Sequence, residues 1–162
     1  MSSTKTVTIA PVKKTVTVEV SQARAFEVFT AGIDRWWPNQ HHIGATPVVK
    51  QTIEPRQGGK WRTLHEDGSE TINGTMLVWD PPSRIVFSWE INGQWKAEPN
   101  QAICSEVDVR FIAEGANRTR VELEHRNFER MPDVEGAKGM RDGVDNGWPG
   151  ILELFRKAAD AK

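Results

Sequence analysis

The chain has no tyrosine, a single cysteine and no apolar run long enough to cross a bilayer. The last two each remove a class of function. Cys104 has no partner for an internal disulfide, and without a second thiol at ligand spacing it supports neither a zinc knuckle nor a redox pair. Nothing approaches the roughly 18 apolar residues of a transmembrane helix, and no charged segment followed by an apolar core marks a secretory signal. The expectation is a cytoplasmic protein with no membrane span. Charge of one sign is also lacking: 21 Lys and Arg balance 22 Asp and Glu, so no overall field draws nucleic acid or anionic lipid to the surface. Phosphate-binding glycine loops, serine nucleophile elbows and dinucleotide fingerprints are missing. His41 and His42 adjoin in a loop, but no carboxylate or Cys stands at a recognised ligand spacing, so no metal and no cofactor is expected.

What is present is tryptophan, seven in 162 residues, enough to line an aromatic pocket as well as to build a core. On length the chain is expected to be one domain over residues 1–162, with Met1 to Thr6 a frayed tail. Its last stretch, Gly136 to Lys162, places Met140, Val144, Trp148, Ile151, Leu152, Phe155 and Ala159 on one side of a helix. Asp142, Asn146, Glu153, Lys157 and Asp160 fall on the other, together with Pro149. Such a helix needs a large apolar partner.

The rest of the chain supplies a sheet. Val12 to Val20 alternates as a half-buried strand, Ser21 caps a helix running to about Thr30, and Ile33 to Trp37 makes one further turn before Pro38. From Val48 to His125 the turn residues propose strand registers. Asp67-Gly68 is read as a two-residue hairpin turn, setting His65 opposite Glu70, Thr63 opposite Ile72 and Trp61 opposite Gly74. Asp80 to Ser83 sets Trp79 opposite Arg84, Met76 opposite Phe87 and Gly74 opposite Trp89. The inward face then carries Trp61, Thr63, His65, Glu70, Ile72, Gly74, Met76, Val78, Ile85, Phe87, Trp89 and Ile91. In the last hairpin Val107, Val109 and Phe111 share that face with Val121, Leu123 and His125, and a five-residue loop there sets Ser105 opposite His125. Gly74, with an inward Trp on either side, leaves either a gap between two indoles or a bare patch over which one of them folds.

Several segments resemble one family. They are Trp36-Trp37, Gly58-Gly59-Lys60-Trp61, the run from Gly74 through Asp80-Pro81-Pro82-Ser83-Arg84-Ile85-Val86-Phe87-Ser88-Trp89, and Gly147-Trp148. Together they are similar to the activator homologues of the ninety-kilodalton heat-shock chaperone ATPase, within the START-like (SRPBCC) superfamily. The resemblance implies an α+β helix-grip fold: a curved antiparallel sheet of about six to seven strands around a long C-terminal helix, with two short helices after the first strand. It also implies a cavity between sheet and helix, and a function anywhere among ligand carriers, polyketide cyclases and co-chaperones.

On these registers His65, Glu70, Ser105, His125 and Arg141 form a polar end capping an apolar chamber. The expected ligand-binding set is Trp61, Thr63, His65, Glu70, Gly74, Met76, Phe87, Trp89, Ser105, His125, Arg141, Val144 and Trp148. The preferred function is binding of a small hydrophobic or aromatic molecule, with or without a carboxylate directed at Arg141 and the histidines. The alternatives are a cyclase or hydratase using His65, Glu70 or His125 as acid and base, and a module that binds a chaperone or other protein partner. Unpaired edge strands leave a homodimer open. Ahead of either functional role, His65 and Glu70 read as an exposed cross-strand pair near a hairpin tip.

Overall fold

The structure, a computed structural model, describes residues 8–38 and 46–161. The tail at Met1 to Thr6 and the histidines His41 and His42 lie outside the described residues. Strand β1 (Val12–Val18) is followed by helices α1 (Gln22–Phe29) and α2 (Ile33–Trp36). Six strands then follow, β2 (Val48–Ile53), β3 (Lys60–His65), β4 (Glu70–Asp80), β5 (Arg84–Trp89), β6 (Ser105–Gly115) and β7 (Arg118–Arg126), and the chain ends in α3 (Val134–Asp160).

All seven strands join one antiparallel sheet in the order β1-β7-β6-β5-β4-β3-β2. The two short helices carry the chain from one edge strand to the other, and a meander of hairpins brings it back beside β1. The curved sheet grips α3, the expected α+β helix-grip architecture. Ser21 caps α1 as its sequence position requires, its Oγ accepting from the Arg24 N–H at 3.2 Å. Asp133 does the same for α3 through the Gly136 N–H at 3.1 Å. Every residue expected on the apolar side of α3 is buried, and Pro149 lies on the exposed side, where its missing N–H costs least. Met140, Trp148 and Phe155 reach the core that Val107, Val109, Phe111, Val121 and Leu123 offer from the sheet.

Three registers differ from expectation: two involve bulges, in β3–β4 and β4–β5, and in β6–β7 a shorter turn sets Val107 rather than Ser105 opposite His125. The β3–β4 hairpin turns through three residues, Glu66 to Gly68, with Gly68 left-handed at φ 84° and the His65 N–H bonded to the Ser69 carbonyl at 2.9 Å. Leu64, not His65, therefore faces Glu70, Thr63 faces Thr71 and Arg62 faces Ile72. A bulge at Asn73 then restores the expected Trp61–Gly74 pair. In β4–β5 the expected Met76–Phe87 pair holds, but a bulge beyond it sets Trp79 opposite Ile85 rather than Arg84. Trp79 therefore packs on the core in the place expected of Val78, its ring 5.2 Å from that of Phe26.

Candidate functional site

Between sheet and helix the structure assembles a cluster of indoles. Trp61 stands on β3, Trp89 on β5 and Trp148 on α3, all but sealed from solvent. The space over Gly74, which the sequence left either open or covered by an indole, is taken up in two ways. A Cβ at Gly74 would lie 2.2 Å from the Ser88 carbonyl oxygen, so this glycine exists because the neighbouring backbone closes on it. A fourth indole, Trp37, is inserted among the other three. Its ring stands edge-on to Trp61 at 4.7 Å, 5.9 Å from Trp148 and 6.4 Å from Trp89. In the sequence Trp37 only ends the short turn before Pro38, and this role was not foreseen. The available signal was that Trp37 directly follows a one-turn helix and precedes Pro38, which aims its side chain back into the grip. Met76, Phe87 and Val144 of the expected lining are buried around the cluster, with Phe87 5.6 Å from Trp61.

The expected polar end comes apart. Glu70 is exposed beside the hairpin tip and does not pair with His65. The three-residue turn moves Thr71 into range instead, and its Oγ1 lies 2.9 Å from His65 Nε2. His65 Nδ1 lies 2.9 Å from the Thr46 carbonyl; because a carbonyl only accepts, Nδ1 carries the hydrogen. The acid/base dyad of His65 with Glu70 is therefore not formed. Arg141 is also displaced: it donates to the Ala10 carbonyl at 3.1 Å and pairs with Asp145 at 3.6 Å, leaving no guanidinium over the aromatic cluster.

Ser105 and His125 do meet, although the residue directly opposite His125 is Val107. The Trp148 indole N–H donates to His125 Nδ1 at 3.1 Å. An indole nitrogen cannot accept, so the proton of His125 is on Nε2, which donates to Ser105 Oγ at 2.9 Å. Complete burial pushes the His125 pKa down to about 3. A ring held neutral with both nitrogens engaged is a structural pin between β7 and α3 rather than a proton-transfer group.

A second polar group lines the β2–β3 side. The Trp61 indole N–H donates to Gln51 Oε1 at 2.7 Å, and the Thr63 hydroxyl reaches the same oxygen at 3.3 Å. Asn73, the bulge residue, donates its amide to Thr63 Oγ1 at 2.5 Å. Gln51 Nε2 and Trp89 Nε1 are buried with no hydrogen-bond partner. On the opposite face of the sheet Glu90 accepts from Thr75 at 2.6 Å and from Ser88 at 2.5 Å. Burial, with Glu90 and Glu98 nearby, pushes the Cys104 thiol up to about 12, so it is not a nucleophile. Among the described residues no cluster of His, Cys, Asp and Glu is arranged to hold a metal ion. No helix there is long and apolar enough to cross a membrane.

No curated protein matches the chain. Among solved structures it is similar to the anthrahydroquino-γ-pyrone synthase Txn09 complexed with SUM, at 36% identity over 93% of this chain and 97% of that one, with a TM-score of 0.66. It is also similar to CalC, a self-sacrificing resistance protein from Micromonospora echinospora, at 34% identity over 93% and 94% of the two chains and a TM-score of 0.69. Protein NE0264 from Nitrosomonas europaea shares the fold at 12% identity, covering 92% of this chain and 93% of that one with a TM-score of 0.63. The fold, a sheet and a long helix facing each other, is one that supports a ligand cavity in general. Residues 19–160 match the family described as Activator of Hsp90 ATPase homolog 1-like protein, and the chain belongs to that family.

Proposed function

We propose that the protein binds a small aromatic molecule between the sheet and α3, against Trp61, Trp89 and Trp148, with Trp37 giving up its place to the ligand. The observation that carries this reading is the mounting of the four indoles. Three are fixed to long elements, β3, β5 and α3, whereas Trp37 caps the four-residue helix α2. One turn of helix has little stability of its own, so Trp37 is the member that can leave at least cost. What remains is an apolar, aromatic-walled space bordered by Thr63, His65, Met76, Phe87 and Val144. The 36% identity to an enzyme that forms an aromatic pyrone favours a polyketide-like aromatic as the ligand class.

That same similarity favours, as second reading, a cyclase-type enzyme. In it His65 is the group to test, since His125 is locked and Glu70 points to water. A chaperone partner or a homodimer has no specific support in the geometry.

The test is a titration of the intact protein with a fatty acid, a flavonoid and a fused-ring aromatic ketone, following thermal stability and tryptophan emission. The aromatic compounds are expected to raise the melting temperature and quench emission more than the fatty acid does. Absence of any response across the panel refutes the binding reading.

A further inference from the structure

The interior of the grip holds donors without acceptors. Gln51 is 3% exposed and Trp89 6% exposed, yet Gln51 Nε2 and Trp89 Nε1 have no partner. The assignment of Gln51 is not ambiguous: its other amide atom accepts from the Trp61 indole N–H, which can only donate, so the atom left over is the NH₂. A buried donor left unpaired is destabilising, and native proteins retain few of them. Both orphans border the indole cluster. Gln51 is bonded to Trp61, against which Trp37 packs, and Trp89 lies beside Trp37 and Trp148.

The charges around them are equally informative. Among the described residues no Lys or Arg side chain is buried, and Arg141 is committed to Ala10 and Asp145. His65 and His125 have both ring nitrogens engaged. A carboxylate brought to this interior would lose its water and meet no cation among the described residues, whereas a neutral carbonyl needs only a donor.

We infer that the ligand presents neutral carbonyl oxygens, of the quinone or aryl ketone kind, one to the Trp89 indole N–H and another to the Gln51 amide. The inference rests on the binding reading above and narrows it to a class of molecule. The two donors stand on β5 and β2 with β3 and β4 between them, a backbone separation of about 14 Å at the usual strand spacing. A flat polycycle with oxygens at separated ring positions matches such a pair better than a single polar head on an alkyl chain.

The experiment compares 9,10-anthraquinone with anthracene, which has the same rings and no oxygen, and with anthracene-9-carboxylate. Affinities are measured by calorimetry on the wild-type chain and on Trp89→Phe. The wild type is expected to bind the quinone at least tenfold more tightly than anthracene, with the carboxylate weakest. Trp89→Phe is expected to lose most of the quinone preference, read as the ratio of its quinone and anthracene affinities, because the ring it shortens packs on both ligands alike whereas the N–H it removes serves the quinone alone. As a measurement that needs no variant, the ¹⁵N-bound protons of the Trp89 indole and the Gln51 amide are expected to move on adding the quinone and to stay when anthracene is added. Equal wild-type affinities for quinone and anthracene, a preference unchanged in Trp89→Phe, or tightest binding of the carboxylate would each overturn the inference while leaving aromatic binding intact. Binding of none of the three compounds would instead overturn the binding reading itself.

Discussion

The Trp148 indole N–H and His125 Nδ1 are joined at 3.1 Å, and this one bond ties the middle of the C-terminal helix to the last strand. It requires a neutral imidazole. Protonating Nδ1 would remove the acceptor and leave a cation without water.

The pH dependence follows from that requirement. Burial lowers the His125 pKa from 6.5 to about 3, so between those values the unfolded chain holds a proton that the folded one does not. Stability is then fully present above pH 6.5 and is lost on acidification toward pH 3, at up to about 1.4 kcal/mol per pH unit. Urea unfolding of the wild type and of His125→Gln at pH 7 and pH 5 checks the sign. The wild type should lose more stability than the variant over that interval, and equal losses would contradict the assignment.

Gly74 and Gly139 make a matched pair. A Cβ at Gly74 meets the Ser88 carbonyl at 2.2 Å, whereas one at Gly139, inside α3, meets nothing within 4 Å. Gly74→Ala must push two backbones apart and is expected to cost about 2–4 kcal/mol. Gly139→Ala should stabilise by about 0.5–1 kcal/mol through helix propensity. Thermal and urea denaturation of both variants measure the contrast.

Trp37→Ala empties the space among Trp61, Trp89 and Trp148. The loss of a buried indole is expected to cost about 3–5 kcal/mol. Because the space left is lined by rings and stays apolar, free indole should refill it. Millimolar indole is therefore expected to raise the melting temperature of Trp37→Ala by several degrees and that of the wild type by little. If indole affects both equally, Trp37 does not occupy a site that an aromatic molecule can take.

Much of the fold is legible in the chain. The apolar positions of α3 recur at helical spacing, and each of them is buried because a long helix has one way to hide such a stripe. Turn residues locate the hairpins, and Trp61–Gly74 and Met76–Phe87 pair as their spacing requires. The polar end is not legible, for a reason of one residue. A three-residue turn at Glu66 to Gly68 and a bulge at Asn73 cancel in the middle of the strand but leave its tip shifted. A shift of one exchanges the two faces of a strand, so Glu70 goes to water and Thr71 meets His65.

Periodicity and turn chemistry therefore settle, within the sequence, which segments are strands, which side of the last helix is apolar and that the two must pack together. These are local properties, written in neighbouring residues. Only the folded chain decides that Trp37 rather than empty space lies among the indoles, that Arg141 turns to Ala10, and that Trp89 and Gln51 keep donors unspent. Those outcomes depend on contacts between residues far apart along the chain, where shape, reach and the count of donors against acceptors select one arrangement from many that the pattern allows.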